Sequence, residues 1–202
     1  MTHFCCAGED EEITLKQLEE FKGLVKELQK LAPSLIVHAE NSAAVALKLN
    51  GFLTHSRVGL ALYGAKPFPG YPAELRQVME VKAKVLTVKE LPRNHPVSYS
   101  ATYKTAERER VAVVAFGYAD GYPRELSNRG KVLIEGRECP IRGRVCMDMV
   151  VVSAHQGVKK GAVATLFGEG ITFEEVAKEC GTIPYELMCR ISQRVERVYR
   201  GV

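Results

Sequence analysis

Two short segments near the N-terminus carry residues that could hold an anion. In HAENSAAV an apolar run leads into a helical pattern, with Asn41 and Ser42 at the turn between them. The first amides of a helix lack partners within the helix and attract groups such as phosphates. In RVGLALYG, Gly59 would let the backbone approach a ligand closely. An ordinary helix cap and an ordinary strand glycine explain the same residues, so spacing alone leaves both interpretations open.

Arg57 lies close to this glycine, inside an apolar run. A buried guanidinium needs groups that accept its hydrogen bonds, because it carries a permanent charge and only donors. The acceptor could belong to a structural ion pair or to a ligand. Both remain open from the sequence.

The second half of the chain has four segments rich in tyrosine and arginine: VSYSATY, GYADGYPR, GRVCMDM and TIPYELMCR. A buried tyrosine needs a hydrogen-bond partner for its hydroxyl, and core packing is the ordinary role of each. A tyrosine can act as a general base only if nearby positive charge lowers its pKa. Arg124 and Arg144 are candidates to supply that charge, but the sequence does not show which tyrosine they approach.

Residues 1–64 read as alternating strand and helix, which predicts parallel strands with right-handed crossovers. Three strands and two helices cannot close a barrel, so we interpret 1–64 as the last part of an incomplete (β/α) barrel. Asn41 or Ser42 would cap the second helix and Gly51 would end it. The apolar stripe of the first helix is Leu18, Phe21, Leu24, Val25 and Leu28. The predicted strands are 2–7, 35–39 and 58–63, and the predicted helices are 13–31 and 43–49.

Residues 65–75 hold three prolines and a glycine, which predicts a linker. Beyond it, in 76–202, apolar residues alternate with a period of two, which is typical of a β-rich domain of barrel or sandwich type. The fold class is therefore α/β plus all-β. The predicted strands of the second domain are 81–85, 111–116, 131–134, 144–152 and 162–167, followed by helices 173–180 and 184–189.

Composition excludes several classes of protein. Hydrophobic residues make up 46% and charged residues 26% of 202 residues, which is typical of a globular chain with a real core. No apolar run suggests a membrane span, and the net charge of +4 is spread without a basic block, so neither a membrane nor a nucleic acid is an expected partner. The six cysteines have no zinc spacing. We expect reduced thiols, no metal and a cytoplasmic location.

Taken together, the motifs resemble the alanine racemase family. The segments HAENSAA, RVGLALYG, VSYSATY, FGYADGYPR, GRVCMD and TIPYE followed by CRIS occur in the family's order with similar gaps, and MTHFCCAGEDE is similar to a further family segment on a late barrel strand. Several long motifs in order are far more specific than any single one. The resemblance covers essentially the whole chain. It implies the end of a barrel that binds pyridoxal 5'-phosphate (PLP), followed by a C-terminal β domain.

The resemblance also implies a reaction. The family interconverts L-alanine and D-alanine, a peptidoglycan precursor, through a Schiff base between PLP and a lysine, with two bases on opposite faces of the substrate. By motif, Arg57 would meet the pyridine nitrogen, to which an arginine donates a hydrogen bond but not a full proton. His3 would lie near the ring. The residues implied around the phosphate are Asn41, Ser42, Gly59, Leu60 and Tyr185.

The remaining implied roles belong to the β domain. Tyr99 would be the base on the L-alanine face, contributed by the other subunit of a homodimer with shared active sites. Met147 would reach across the same interface, with its backbone amide near the substrate carboxylate. Tyr118 and Arg124 would lie near the channel through which the substrate enters.

The sequence departs from the family pattern in three ways. No segment resembles the strand that carries the cofactor lysine, so we expect a C-terminal fragment that needs the missing N-terminal barrel segment for catalysis. Glu40 stands where the family usually has a small residue, and Ser100 stands where glycine is common. The alternatives are an inactive fragment or pseudo-enzyme that dimerises or binds a partner, and a related PLP racemase or decarboxylase of the same fold type (fold type III).

Overall fold

The computed structural model describes residues 1–49 and 51–201. Val202, the end of the predicted β domain, lies outside the described residues. The chain divides into two compact units, Met1–Arg76 and Gln77–Val202. The segment predicted as a linker, 65–75, falls inside the first unit, where the Tyr71 hydroxyl donates a 3.0 Å hydrogen bond to the carbonyl of Ser42.

The first unit is built on helix α1, Glu11–Leu31, which confirms the helix predicted at 13–31. The helix begins at Glu11 because the Asp10 carboxylate accepts a hydrogen bond from the Ile13 amide over 2.9 Å, as an N-cap does. Leu18 and Val25 of the predicted stripe are buried, but Leu24 is 66% exposed. Leu28 is also exposed, so the predicted stripe is wider than the face that packs.

The three strands predicted in this unit are not formed as strands among the described residues. Residues 2, 37–40 and 54–57 lie side by side, joined by hydrogen bonds such as Thr2 amide to His38 carbonyl and Arg57 amide to Glu40 carbonyl. His38 and His55 form one parallel bridge. A strand needs a continued ladder of such bonds, and here they are scattered: one joins residues 2 and 38, and three join 37–40 to 54–57. The predicted segments 2–7 and 35–39 contribute residues to this arrangement, but none of the strands predicted at 2–7, 35–39 and 58–63 forms among the described residues.

Helix α2, Ser42–Ala46, is shorter than the predicted 43–49. Asn41, rather than Ser42, is its N-cap. Gly51 does not end it: Leu47 and Lys48 donate to Ala44 and Val45 in a tight turn, and Lys48 takes the left-handed conformation. The strand predicted at 58–63 is replaced by a 3-10 helix, Leu60–Tyr63, that follows an extended segment ending near Arg57.

The second unit is an antiparallel sheet of six strands in the order β6-β5-β8-β1-β4-β7, with a separate small hairpin of β2 and β3. The long strand β1 pairs with β8 through its first half and with β4 through its second. The strands are β1 Val81–Leu91, β2 Pro96–Val97, β3 Tyr103–Lys104, β4 Glu109–Val114, β5 Lys131–Ile134, β6 Arg137–Pro140, β7 Val150–Ser153 and β8 Val163–Phe167.

The two edges of this sheet meet, so it curves into a barrel-like form. Ile141, directly after β6, forms an antiparallel bridge with Val152 of β7, and the Arg142 amide donates to the Val151 carbonyl over 2.8 Å. Closure removes exposed sheet edges. Alternate residues such as Val132 and Ile134 are fully buried inside, as period-two patterning requires.

Two helices complete the second unit, α3 Phe173–Cys180 and α4 Pro184–Arg190, which confirms the predicted pair. The predicted strand 144–152 is wrong for most of its length, because only Val150–Ser153 pairs and Cys146 instead closes a tight turn with Met149. Strand β6 and the small hairpin were not predicted. Within residues 1–49 and 51–201, no helix is long and apolar enough to cross a membrane.

Candidate active site

In the first unit, Ser42 organises a backbone cradle. Its side chain is buried, and its Oγ accepts hydrogen bonds from the amides of Gly59 at 2.9 Å and Ala61 at 3.2 Å. A hydroxyl can accept two bonds and still donate one. Among the described residues, no hydrogen bond uses the Ser42 hydroxyl proton. Ser42 therefore holds the turn that starts the 3-10 helix and keeps one donor for an anion.

Gly59 provides the open side of this cradle. It is exposed, and a Cβ built on it would meet no heavy atom within 4 Å. The side chain of Leu60, the next residue, is buried and anchors the turn. Asn41 supports the other wall, since its side-chain oxygen accepts from the amides of Ala43 and Ala44. A serine hydroxyl and an open glycine backbone fit a phosphate group.

Arg57 lies between two imidazoles. Its guanidinium donates to His38 Nδ1 at 2.5 Å, to His3 Nδ1 at 2.9 Å and to the carbonyl of Thr2 at 3.1 Å. No ion pair involves Arg57 in the part of the chain that the structure describes, so its partners there are uncharged acceptors. The ion-pair interpretation of Arg57 left open by the sequence is thus not supported. The guanidinium charge is not neutralised locally, and it can donate to a further acceptor such as a ring nitrogen.

His38 is a site residue that sequence reasoning missed. Because arginine has no acceptor, His38 Nδ1 must carry the lone pair, which makes the ring neutral. Partial burial, and then the positive charge of Arg57, lower the pKa of His38, in agreement with the neutral form. The residue stands in HAENSAA, but only the fold reveals that positions 38 and 57 are neighbours.

His3 faces two donors. Arg57 approaches its Nδ1, and the side-chain amide of Asn41 lies 3.2 Å from its Nε2. A neutral imidazole has one lone pair, so His3 accepts from only one of them at a time. His3 thus contacts both the arginine and the residue that caps α2. The structure brings five of the predicted cofactor residues together: His3, Asn41, Ser42, Arg57 and Gly59.

In the second unit, Tyr99 stands on a strained turn. Its side chain is 71% exposed. Its neighbours Ser98, Ser100 and Ala101 have φ angles of 63°, 62° and 46°, which non-glycine residues rarely adopt. Such strain persists only where surrounding contacts impose it, and it is common at functional sites. The left-handed Ser100 also explains why glycine would suit that position.

The contacts that impose this turn come from the GRVCMDM segment. The Ser98 hydroxyl donates to the Arg144 carbonyl at 2.7 Å, and it lies 3.3 Å from the Cys146 sulfur. At Gly143 a Cβ would lie 2.6 Å from the Val97 carbonyl oxygen, too close for any side chain. The VSYSATY and GRVCMDM motifs therefore pack backbone against backbone, and GRVCMDM holds the turn that carries Tyr99.

Met147 lies in the same segment, GRVCMDM, which crosses a third motif, GYADGYPR. The amides of Tyr118 and Ala119 donate to the carbonyls of Cys146 and Met147, each over 3.0 Å. A Cβ at Gly117 would lie 2.3 Å from both carbonyl oxygens, so only glycine fits at this crossing. Met147 is 51% exposed and Tyr118 is 47% exposed. The structure thus brings Met147 and Tyr118 together at the surface of the β unit.

An arginine absent from the predicted site joins these motifs. Arg194 Nε donates to Asp120 Oδ1 at 2.6 Å, and its NH2 donates to Asp148 Oδ1 at 2.7 Å. Asp120, nearly buried, also accepts from the Gly117 amide at 2.8 Å. The two carboxylates raise the pKa of Arg194, so the charge is held firmly. Its position in CRISQRV, among arginines of similar spacing, gave no signal that set it apart.

The other tyrosines divide into core and surface. Tyr122 is 1% exposed, stacks edge-on against Phe116 and Phe167, and has its pKa raised by burial. The Tyr103 hydroxyl donates to Glu109 at 2.6 Å, which makes Tyr103 a structural residue. Both have the ordinary roles left open by the sequence.

Arg124 and Arg144, the candidates to supply positive charge near a tyrosine, form no hydrogen bond or ion pair with Tyr99 in the described part of the chain. The buried Nε of Arg144 has no hydrogen-bond partner among the described residues. Arg124 begins a 3-10 helix and is exposed. Tyr185 lies in α4 and is 41% exposed.

These features are those of a two-unit protein of α/β plus all-β class. One unit holds a serine–glycine cradle and an arginine that forms no ion pair among the described residues, and the other is an antiparallel barrel-like β unit that presents a tyrosine on a strained turn. Residues 1–67 match the family description "Alanine racemase, N-terminal domain", and residues 78–199 match "Alanine racemase, C-terminal domain". The chain belongs to the alanine racemase family.

Known proteins support this membership. The chain is 46% identical over 190 residues to the alanine racemase of Aquifex aeolicus (strain VF5), an alignment that covers 94% of this chain and 55% of that protein. It is similar to the structure of Bartonella henselae alanine racemase with covalently bound pyridoxal phosphate, with a TM-score of 0.88, 30% identity, and 98% and 56% of the two chains covered.

A second solved structure is similar over the same extent. Bacillus anthracis alanine racemase with bound L-Ala-P has a TM-score of 0.90 and 35% identity, and the match covers 99% of this chain and 55% of that one. The chain spans about half the length of the curated relatives it matches.

Proposed function

We propose that this chain supplies the cofactor phosphate cradle and one of the two catalytic bases of an alanine racemase, an isomerase that interconverts L-alanine and D-alanine with PLP. In this proposal residues 1–64 are the last part of the PLP-binding (β/α) barrel, 65–75 are the linker and 76–202 are the C-terminal β domain. The relatives' names favour alanine over the substrates of other PLP racemases and decarboxylases.

The observation that carries the proposal is the Arg57 cluster beside the Ser42 cradle. A guanidinium surrounded by neutral imidazoles donates hydrogen bonds without giving up its proton. PLP, when bound, supplies the electron-accepting ring that acidifies the substrate Cα–H. Arg57 would hold the nitrogen of that ring by a hydrogen bond, and His38 and His3 would hold Arg57 in place.

The phosphate would lie over Gly59. The Ser42 hydroxyl and the Leu60 amide would donate to it, and Gly59, whose own amide donates to Ser42, would leave the space that it needs. The family resemblance adds Tyr185 to this set. Asn41 would act indirectly, since its side chain caps α2 and contacts His3. The donors to the phosphate in this proposal are uncharged, and Arg57, which does not readily give up its proton, would leave the ring nitrogen unprotonated.

Tyr99 would move the proton. Its exposed phenol stands on a turn that the chain holds rigidly, as a base that must reach another surface requires. We propose that Tyr99 and Met147 of one chain serve the cradle of a second chain in a homodimer. Tyr99 would take the Cα proton on the L-alanine face, the Met147 amide would hold the substrate carboxylate, and Tyr118 and Arg124 would line the approach.

A fusion protein tests the proposal. The N-terminal part of the Aquifex aeolicus alanine racemase that precedes the matched region would be joined to this chain, and D-alanine formation from L-alanine would be measured beside serine and lysine as controls. We expect racemisation selective for alanine, and borohydride reduction followed by intact-mass analysis should show one PLP adduct. A well-folded fusion that binds PLP yet racemises none of the three would contradict the proposal.

A matched pair of variants tests whether the Ser42 hydroxyl contributes to PLP binding. Ser42→Ala removes the hydroxyl that links Gly59 and Ala61 and is expected to weaken PLP binding about tenfold, as the loss of one charge-assisted hydrogen bond does. Ser56→Ala removes an exposed hydroxyl that bonds Glu40 and serves as control. Equal PLP affinity in the two variants would remove Ser42 from the phosphate site.

A further inference from the structure

Cys5 and Cys6 are adjacent in sequence, and their sulfur atoms lie 3.3 Å apart, with the Cys6 thiol donating to the Cys5 sulfur. In an extended strand, successive side chains point to opposite faces, so neighbouring thiols do not meet. Here the chain bends: the amides of Glu9 and Asp10 both donate to the Cys6 carbonyl at 2.9 Å. Residues 5 and 6 themselves form a bend rather than a strand, and there the two sulfur atoms meet.

The bend is held from both directions. The Cys5 amide donates to the Gln17 side-chain oxygen at 3.2 Å, and the Gln17 amide group donates to the His3 carbonyl at 2.8 Å. Gly8, with a φ of 87°, has the Phe68 ring so close that a Cβ would lie 2.2 Å from it. The paired thiols are therefore pre-organised by α1 and by the Gly8 turn.

The pair is also accessible and distinct from the other thiols. Cys5 is exposed and Cys6 is partly exposed. Among the described residues, no other two cysteine sulfurs are in contact, and no cluster of three or more histidine, cysteine or acidic side chains could hold a metal ion. The remaining free cysteines are Cys139, Cys146, Cys180 and Cys189. The site offers two soft ligands and no third.

We propose that Cys5 and Cys6 form a chelating dithiol site for soft, thiol-seeking electrophiles that need two sulfur ligands, the trivalent organoarsenicals being the class that fits. Sulfur ligands select soft centres over hard ones. With an arsenous oxide, two arsenic–sulfur bonds form and the arsenic–oxygen bond breaks. The oxygen leaves as water with the two thiol protons, so no oxidant or reductant takes part.

The hydrogen bond between the thiols bears on the chemistry of single-thiol reagents. That bond, together with partial burial and the nearby carboxylates of Glu9 and Asp10, raises the pKa of Cys6. A thiol with a raised pKa has less thiolate and reacts slowly with alkylating reagents at neutral pH. Chelation is favoured instead, because the second sulfur attacks within the same complex.

The whole chain would first be reduced and freed of the reductant. It would then be treated with phenylarsine oxide. Intact-mass analysis is expected to show one arsenical adduct, released by a 1,2-dithiol but not by an equal amount of a monothiol. Cys5→Ser and Cys6→Ser are each expected to lower the affinity at least tenfold. Cys189→Ser, which removes another exposed thiol, is the matched control and should keep the adduct.

Absence of an adduct on the wild-type chain, or an adduct that survives in Cys5→Ser and is released equally by a monothiol, would overturn the site. Circular dichroism of each variant establishes that it is folded, and an exposed serine is not expected to disturb α1. The outcome is independent of racemase activity, so failure of the dithiol proposal and failure of the proposed function are told apart by separate measurements.

Discussion

The Arg57 guanidinium donates a hydrogen bond to His38 Nδ1 over 2.5 Å, although the two residues lie 19 positions apart. This contact fixes the tautomer of His38, with the lone pair on Nδ1 and the proton on Nε2. Protonation of Nδ1 would place two positive groups against each other. The neutral form of His38 therefore depends on the position of Arg57, the residue proposed to meet the cofactor.

The first prediction concerns the pKa of His38. Partial burial and then the Arg57 charge lower it, so NMR titration of the ring protons is expected to give a value below the ordinary histidine range. Because the pKa of His38 is lower in the folded state than in the unfolded state, the unfolded state binds more protons once the pH falls below about 6.5. The free energy of unfolding therefore falls as the pH drops from the unfolded pKa to the folded pKa of His38.

Arg57→Gln is the control for this titration. It keeps a hydrogen-bond donor and removes the charge, so the pKa of His38 should rise toward the ordinary value while remaining partly lowered by burial. An unchanged pKa in Arg57→Gln would show that the arginine charge does not act on this ring.

Gly143 is predicted to be irreplaceable. An added Cβ would lie 2.6 Å from the Val97 carbonyl oxygen, and the φ of 83° is unfavourable for any other residue. Gly143→Ala is therefore expected to lower the free energy of unfolding by about 2–4 kcal/mol, the sum of backbone strain and overpacking. Urea denaturation followed by circular dichroism measures it.

Gly136→Ala provides the comparison. Gly136 has a φ of 73° and open space around it, so only the backbone strain remains, about 1 kcal/mol. If the two alanine variants lose equal stability, the close packing between the VSYSATY and GRVCMDM motifs does not exist as described.

Tyr122 and Tyr118, four residues apart in one motif, are predicted to differ in role. Tyr122→Ala empties a space lined by Phe116 and Phe167 and is expected to cost about 3–5 kcal/mol of unfolding free energy. Tyr118→Ala, at a 47% exposed side chain, should change stability by no more than about 0.5 kcal/mol. Chemical denaturation of both variants checks the assignment, and a large loss in Tyr118→Ala would refute its placement at the surface.

Asp120 is predicted to stabilise the crossing of three motifs. Asp120→Ala leaves the Gly117 amide without its partner and is expected to cost about 2–3 kcal/mol of unfolding free energy. Asp148→Ala removes the more exposed partner of the same arginine, and its cost should stay below about 1 kcal/mol. Comparable losses for the two would mean that burial does not distinguish these carboxylates.

The sequence predicted the elements whose pattern is local. Helix α1 follows from apolar spacing and β5 from a period of two, and the two short helices α3 and α4 were also predicted. The side-by-side segments of the first unit could not be placed, because their pairing depends on neighbours that are distant in sequence. Position 57 pairs with position 40, and no local pattern encodes that distance.

The residues of the candidate site were predicted mainly from the family's motifs and less from the chemistry of their side chains. Ser42, Gly59 and Arg57 came from the resemblance together with the chemistry of their side chains, and the structure brings them together. His38 and Arg194 were missed, since their roles arise from contacts across 19 and 74 positions. A single histidine or arginine in a motif gives no sign of which partner it will meet.

The most direct test of the proposed chemistry follows each face of alanine separately. In the fusion protein carrying Tyr99→Phe, incorporation of deuterium from heavy water at Cα would be measured with L-alanine and with D-alanine. We predict that exchange from L-alanine falls by about 10²-fold or more, as the loss of a general base does, while exchange from D-alanine persists. Unchanged exchange from L-alanine would contradict the role of Tyr99 and with it the central claim.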